Sequence, residues 1–239
     1  MTISLYFSMA GDIRMQEFFL NSIYPHMGYV IRLVPQMIEG TGMTLFLFFV
    51  TIVLSIPLGL AISLARISKF KWLSNITGAY IWLLRGTPLL LQLFFVYYGL
   101  PVFGIVLERV PAAVIAFVLN YAAYFAEIFR AGIQSIDRGQ YEGAKALGLS
   151  YWQTMRRIIL PQVTKRVLPP VSNETITLVK DTALVYAIGL GELLRVSKTA
   201  VNRDANTTAF IVAAVFYLIM TYVLTKIFQR LEKRYAVYE

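Results

Sequence analysis

The sequence contains no cysteine and a single histidine, His26. Disulfides are excluded, and so is any thiolate or multi-histidine metal site. A carboxylate-only metal site is left open, with nothing in the sequence to support it. Charge is scarce: Asp, Glu, Lys and Arg make up 15% of the chain. No Gly-Lys dipeptide occurs, so a phosphate-binding loop of the G-x-x-x-x-G-K-[ST] type is absent and any ATP used is bound by another chain. No Gly-x-Ser-x-Gly stretch occurs either, and the usual nucleophile–base pairs of hydrolases are missing.

Apolar residues are plentiful. They form 58% of the 239 residues, with a mean hydropathy of +0.64, well above a soluble domain. A bilayer crossing takes about 20 mostly apolar residues, so the length allows roughly four to six crossings. A separate catalytic domain of about 100 residues would not fit beside them. The net charge of +9 would suggest nucleic acid in a soluble protein. Here the basic residues flank apolar runs, which fits orientation against an anionic leaflet instead. The expected class is therefore all-α and polytopic, in a lipid bilayer, with no nucleic-acid partner.

The first residues do not read as a cleaved signal peptide, because no basic residue precedes the weakly apolar Ile3 to Ala10. Residues 12–40 mix Asp12, Arg14, Glu17, Arg32 and Glu39 with aromatics, the pattern of an interfacial amphipathic segment, with a disordered tail as the alternative. An N-terminal extracellular or interfacial region over residues 1–37 is expected, and a transmembrane domain over 38–235.

Thr41 to Ala65 carries no charge and is the first expected span. Trp72 to Leu107 is a second, broken at Arg85-Gly86-Thr87-Pro88. Val110 to Ala126 is a third, Val167 to about Gly191 a fourth with internal charges, and Ala205 to Thr225 a fifth. With five spans, the loop at 66–71, the loop at 127–166 and the C-terminus share one side and hold 14 of the 22 Lys and Arg residues. The positive-inside rule puts that side, and the C-terminus, in the cytoplasm and the N-terminus outside.

The longest cytoplasmic connection, 132–166, carries Glu142-Gly143-Ala144-Lys145-Ala146-Leu147-Gly148 and, further on, Ile158-Ile159-Leu160-Pro161. Gly148 predicts a helix stop, followed by a second helical piece from Tyr151 to Leu160 ended by Pro161. From the residues alone, this is either a short helix that docks into a soluble partner or a basic loop held at lipid headgroups.

Charges inside a bilayer cost about 2.5–3.5 kcal/mol each near a helix centre, so they mark candidate sites. Glu174 and Asp181 are seven residues apart, hence on one helical face about 10 Å apart. They suit an α-ammonium group or a cationic side chain. The alternative is a structural Lys180–Asp181 pair with Glu174 in water. At the break, Thr87 is a good N-cap and Pro88 a good first helical residue. A helix restarting there, with Arg85 adjacent and Gln92 one turn on, suits a carboxylate; a packing kink is the plain alternative. Asn120 and Tyr124 line the same cavity or hydrogen-bond between helices.

The spacing Glu-x-Ala, three residues, Gly, nine residues, Ile-x-Leu-Pro resembles the cytoplasmic loop of ATP-binding cassette (ABC) importer permeases. Gly143 departs from the alanine usual there. Arg85-Gly86-Thr87-Pro88-Leu89, Asn120-Tyr121-Ala122-Ala123-Tyr124, the stretch from Glu127 to Gln140, and Asn173-Glu174 through Lys180-Asp181-Thr182 resemble the polar amino acid branch of that family. The likeness covers roughly residues 38–235. It implies the type I importer permease fold in a bacterial cytoplasmic membrane and no cofactor on this chain, with ATP and magnesium on a cytoplasmic ATPase dimer. It also implies a second permease subunit, identical or not, and an extracellular binding protein that delivers a polar amino acid. Glu142, Gly143, Ala144, Gly148 and Leu149 would then couple to the ATPase. Glu174, Asp181, Thr87, Arg85, Gln92, Asn120 and Tyr124 remain the candidate substrate contacts. A proton-coupled secondary transporter using Glu174 and Asp181 is the alternative function. An intramembrane enzyme using the same two acids is a more distant one.

Overall fold

The computed structural model describes residues 24–235. Residues 12–23 of the expected interfacial segment, including Asp12, Arg14 and Glu17, lie outside the described residues. Among those described, the chain is helical throughout, as expected.

Helix α1 spans Tyr24–Arg66 without interruption. It begins well before Thr41, and at 1.5 Å per residue it is about 64 Å long, twice the thickness of a hydrocarbon core. Pro35 and Pro57 lie inside it. Helix α2 (Lys71–Gly86) and α3 (Leu89–Phe94) follow. The chain continues as one π turn, Phe95–Gly99, and a 3-10 turn, Leu100–Phe103. The left-handed Gly104 closes this stretch.

The central element is α4, Arg109–Gln134. It buries Ala112, Ala116, Phe117, Tyr121 and Phe125 against Leu47 and Phe48 of α1, Leu93 of α3, and Leu178 and Val179 further on. Apolar burial alone does not drive helices together in lipid, so close packing of small residues carries the association. Gly59 of α1 shows it: a Cβ there would lie 2.8 Å from the Phe125 Cβ and 3.0 Å from the Ala122 carbonyl oxygen.

Helix α5 (Arg138–Ala146) and the short α6 (Tyr151–Thr154) form the loop at one end of the bundle. A π turn, Met155–Ile159, joins α6 directly to α7, Leu160–Asp181. Pro161 therefore does not end the second helical piece. The Leu160 N–H reaches back five residues to the Met155 carbonyl, and this wider turn places Pro161 in the first turn of α7, where a missing N–H is tolerated.

Helix α7 stops at Asp181, and a 3-10 segment, Thr182–Ile188, leads to the left-handed Gly189. Amphipathic α8 (Leu193–Asp204) and α9 (Thr208–Tyr235) complete the chain. The apolar face of α8 packs on the N-terminal half of α1, with Leu33, Met37, Leu193 and Ala200 in one cluster with Ala209 and Val212 of α9.

Among the described residues, α1, α4 and α9 are long and apolar enough to cross a membrane. The α2 and α3 stretches qualify together, bent by 105° at the expected break, a geometry shared by broken spans and re-entrant segments. The expected fourth span, Val167 to about Gly191, is α-helical only as far as Asp181, and α7 as a whole, with Lys165, Arg166, Glu174, Lys180 and Asp181, is too polar to qualify by composition. The fold thus confirms the helical membrane architecture without fixing the crossing count at five.

Candidate functional site

The bend between α2 and α3 arises at Thr87, whose extended backbone (φ −121°, ψ 146°) is the conformation a following proline favours. Thr87 is not the side-chain cap of α3 that its sequence position suggests. Pro88 occupies the cap position, and the Thr87 hydroxyl turns back to donate to the Leu83 carbonyl at 2.8 Å. The reason is local: the last carbonyls of α2 have no helical partners, and polar side chains gather on them. Gln92 Nε2 donates to the Leu84 carbonyl at 2.8 Å, the Thr87 carbonyl at 3.1 Å and the Thr87 hydroxyl at 2.7 Å. Asn120 Nδ2 donates to the same Leu84 carbonyl at 3.1 Å and to Gln92 Oε1 at 3.0 Å. Thr87, Gln92 and Asn120 are therefore brought together as a hydrogen-bonded staple holding the break against α4.

One turn along α4 the chemistry changes. Arg85 sits 5.2 Å from the centroid of the Tyr124 ring, a cation–π distance. The Tyr124 ring lies 6.3 Å from that of Tyr121, and the buried Tyr121 hydroxyl donates to Asp181 Oδ2 at 2.8 Å. Glu174 is half-buried and lies seven residues before Asp181 on α7. Arg85 of α2 and Asp181 of α7 thus both reach the tyrosine pair of α4, from opposite ends, and Glu174 lies on the same helix as Asp181. Lys180 points outward and is exposed. The Asp181 carboxylate and the Arg85 guanidinium, with Tyr121 and Tyr124 between them, are groups of the kind that bind an ammonium group and a carboxylate.

Tyr121 was not singled out from the sequence, although a buried tyrosine needs a partner for its hydroxyl and Asp181 was the available acid. Glu192 was also missed. It is fully buried. Its carboxylate accepts from the Leu194 and Arg195 N–H groups at 2.6 Å each and from the Tyr217 hydroxyl at 3.0 Å. It caps α8 and ties it to α9. A Gly-x-Gly-Glu entry to an amphipathic stretch was the signal that went unused.

At the far end of α7, α5 begins with the Asp137 carboxylate accepting from the Gly139 N–H at 2.6 Å. It ends as Gly148 predicts, with φ +72°. The Gly148 N–H donates to the Lys145 carbonyl and the Leu149 N–H to the Ala144 carbonyl, each at 3.0 Å. These are the two bonds of a Schellman stop. Ala144 is buried, while Glu142, Gly143 and Gly148 face solvent and Leu149 is half-buried. Ile136, Ile159, Val163 and Val167 form a small core beneath the loop, with Tyr141 and Met155 against it. Gln162 Nε2 donates to Gln140 Oε1 at 3.0 Å, and Arg166 bonds the Ser135 hydroxyl at 2.9 Å. The loop is therefore fixed to α7. It exposes Leu147 (79%), Trp152 (77%) and Tyr151 (69%), large apolar side chains on a segment too polar to enter lipid.

Residues 55–237 match the family described as the binding-protein-dependent transport system inner membrane component. The chain belongs to that family. Among its relatives is a probable amino-acid ABC transporter permease protein, YckA, of Bacillus subtilis, 43% identical and covering 85% of this chain and 91% of that protein. The arginine transport system permease protein ArtQ of the same species is 40% identical, covering 84% of this chain and 93% of its own length. A crystal structure of an amino acid ABC transporter with histidines superposes with a TM-score of 0.80 at 37% identity, over 85% of this chain and 96% of that one. The resemblance seen in the loop spacing and the type I importer permease fold are both upheld. The proton-coupled alternative finds no support in these relatives.

Proposed function

We propose that the chain is the membrane-spanning subunit of an ATP-driven importer for a polar amino acid. The observation that carries this reading is the coupling loop, a capped helix with a buried base and an exposed apolar face, fixed to the helix that bears Glu174 and Asp181. A nucleotide-binding partner gripping Glu142, Gly143, Ala144, Gly148 and Leu149 would move α7, and with it the acidic cluster. Two permease subunits would frame the pathway. ATP and magnesium would be held by the partner ATPase, leaving this subunit non-catalytic, and an external binding protein would supply the solute.

In this arrangement the chain crosses the cytoplasmic membrane five times, with its N-terminus outside and C-terminus inside. The domain at 38–235 holds the pathway, and loop 132–166 lies in the cytoplasm. Glu174 and Asp181 would receive the ammonium group and Arg85 the carboxylate, with Tyr124 as a wall. Thr87, Gln92 and Asn120 hold the broken backbone and set the position of Arg85. The amino acid permeases among the relatives support the solute class.

The test is reconstitution with the ATPase and binding protein in proteoliposomes, followed by uptake of labelled polar amino acids. Uptake should require ATP and the binding protein. Accumulation driven by a proton gradient, with neither present, would refute the reading.

A further inference from the structure

Helices α4 and α7 run antiparallel, and two hydrogen-bonded rungs join them. One rung is at the candidate solute site, where the Tyr121 hydroxyl donates to Asp181 Oδ2 at 2.8 Å. The other is at the loop end. There Arg166 Nη1 of α7 donates to both the carbonyl and the hydroxyl of Ser135, the hydroxyl at 2.9 Å. Ser135 closes α4. Its N–H donates to the Ala131 carbonyl at 2.9 Å and its hydroxyl to the Gly132 carbonyl at 2.7 Å. The last carbonyls of a helix lack helical partners and form its negative end, which a cation satisfies. A basic side chain near the C-terminus of the same helix commonly does this. Here α7 supplies it from across the interface.

The two sides of this frame match in length. Ser135 lies fourteen residues beyond Tyr121, and Asp181 fifteen beyond Arg166, about 21 Å and about 22 Å at the helical rise. Between the rungs the helices touch, since a Cβ on Gly132 would stand 2.2 Å from Val167 Cγ1. Apolar packing is non-directional, so it holds the helices close without fixing their register. The sides differ in stiffness. Helix α7 carries Pro169 and Pro170 between the rungs, and neither has an N–H for the helical ladder. Helix α4 has no proline from Tyr121 to Ser135. Motion passed along α7 alone would cross this weak point before reaching Glu174 and Asp181. Arg166 stands on the loop side of both prolines. One turn earlier, Gln162 donates to Gln140 of α5 at 3.0 Å.

We propose that Arg166 is a positioning residue for transport. It makes the end of α4 follow the coupling loop, so that motion reaches the Tyr121–Asp181 rung through the unbroken helix as well as the proline-weakened one. The inference rests on the importer reading above and adds to it a second path into the site.

The test uses the permease with its ATPase and binding protein in proteoliposomes. The labelled polar amino acid that the wild type accumulates best is the probe, and uptake per ATP hydrolysed is the readout. Arg166→Ala should lower this ratio about threefold or more, with the ATPase still copurifying and still hydrolysing ATP. Arg166→Lys, which keeps a charged donor, should lose less. Tyr121→Phe opens the other rung and should also lower the ratio. The double variant should be no worse than the worse single one, because the rungs act in series. If Arg166→Ala yields no assembled complex, Arg166→Met, which keeps the apolar stem, is read by the same criterion. An unchanged ratio overturns the proposal and leaves the importer reading standing, including the case where uptake and hydrolysis fall together. So do losses that multiply in the double variant, and so does a fall that added ATPase restores, because Arg166 would then serve docking. A wild type that accumulates the amino acid without ATP overturns both.

Discussion

Replacing Gly148 tests the coupling loop with little steric ambiguity. A Cβ built at this position meets nothing within 4 Å, so the cost of a side chain comes from the backbone. At φ +72° an ordinary L-residue is disfavoured by about 1–2 kcal/mol, and a β-branched one stands at the upper end of that range or beyond. The loop can relax only by giving up the two closing hydrogen bonds at Lys145 and Ala144, together worth about 1–3 kcal/mol. Either route costs Gly148→Val about 2 kcal/mol, which lowers the capped-to-uncapped equilibrium constant about 30-fold. Gly148→Asn should lose far less, because asparagine enters the left-handed region readily. The assay is the affinity of purified ATPase for the permease in nanodiscs, measured alongside ATP-driven uptake. The expected order is Gly, then Asn, then Ala, then Val. Wild-type affinity and uptake in Gly148→Val, or equal damage from Asn and Val, would refute the idea that this stop shapes the docking surface.

Gly143→Ala should be tolerated and should stiffen α5 by up to about 1 kcal/mol, because nothing lies within 4 Å of the new Cβ; slower amide exchange over 138–146 with uptake retained is the check. Glu174→Gln and Asp181→Ala should each depress uptake while the ATPase still copurifies. Asp181→Ala should also cost about 1–3 kcal/mol of stability by leaving the Tyr121 hydroxyl unpaired, whereas Asp181→Asn should spare most of that cost. Wild-type uptake in both carboxylate variants would remove them from the solute pathway. Gly132→Ala would bring a Cβ within 2.2 Å of Val167 Cγ1. It should lower the melting temperature in detergent through about 1–3 kcal/mol of overpacking, and Val167→Ala in the same chain should restore it.

The centre of the fold was the most legible part of the sequence. Val110 to Ala126 reads as a span because it is uncharged, and its alanines and aromatics are what α4 buries. Gly148 was legible because few residues besides glycine fit a left-handed stop. The extent of α1 was not, because Arg32, Pro35 and Glu39 look like interfacial punctuation until α8 is seen covering the opposite face. Pro161 misled for a related reason. A proline predicts a break only if the helix upstream keeps a four-residue ladder, and the π turn at Met155–Ile159 does not. Thr87 misled because two neighbouring helix ends competed for its hydroxyl, and the carbonyl-rich end won. Glu174 and Asp181 were visible as charges in an apolar context. That Asp181 meets Tyr121, and Arg85 meets Tyr124, depends on packing, which no local pattern encodes.

The staple at the bend between α2 and α3 has an energetic consequence. Backbone carbonyls freed by a helix interruption are costly wherever water is excluded. Here the amides of Gln92 and Asn120 occupy the Leu84 and Thr87 oxygens directly. The chain can therefore turn through 105° while those two oxygens keep partners supplied by the protein itself.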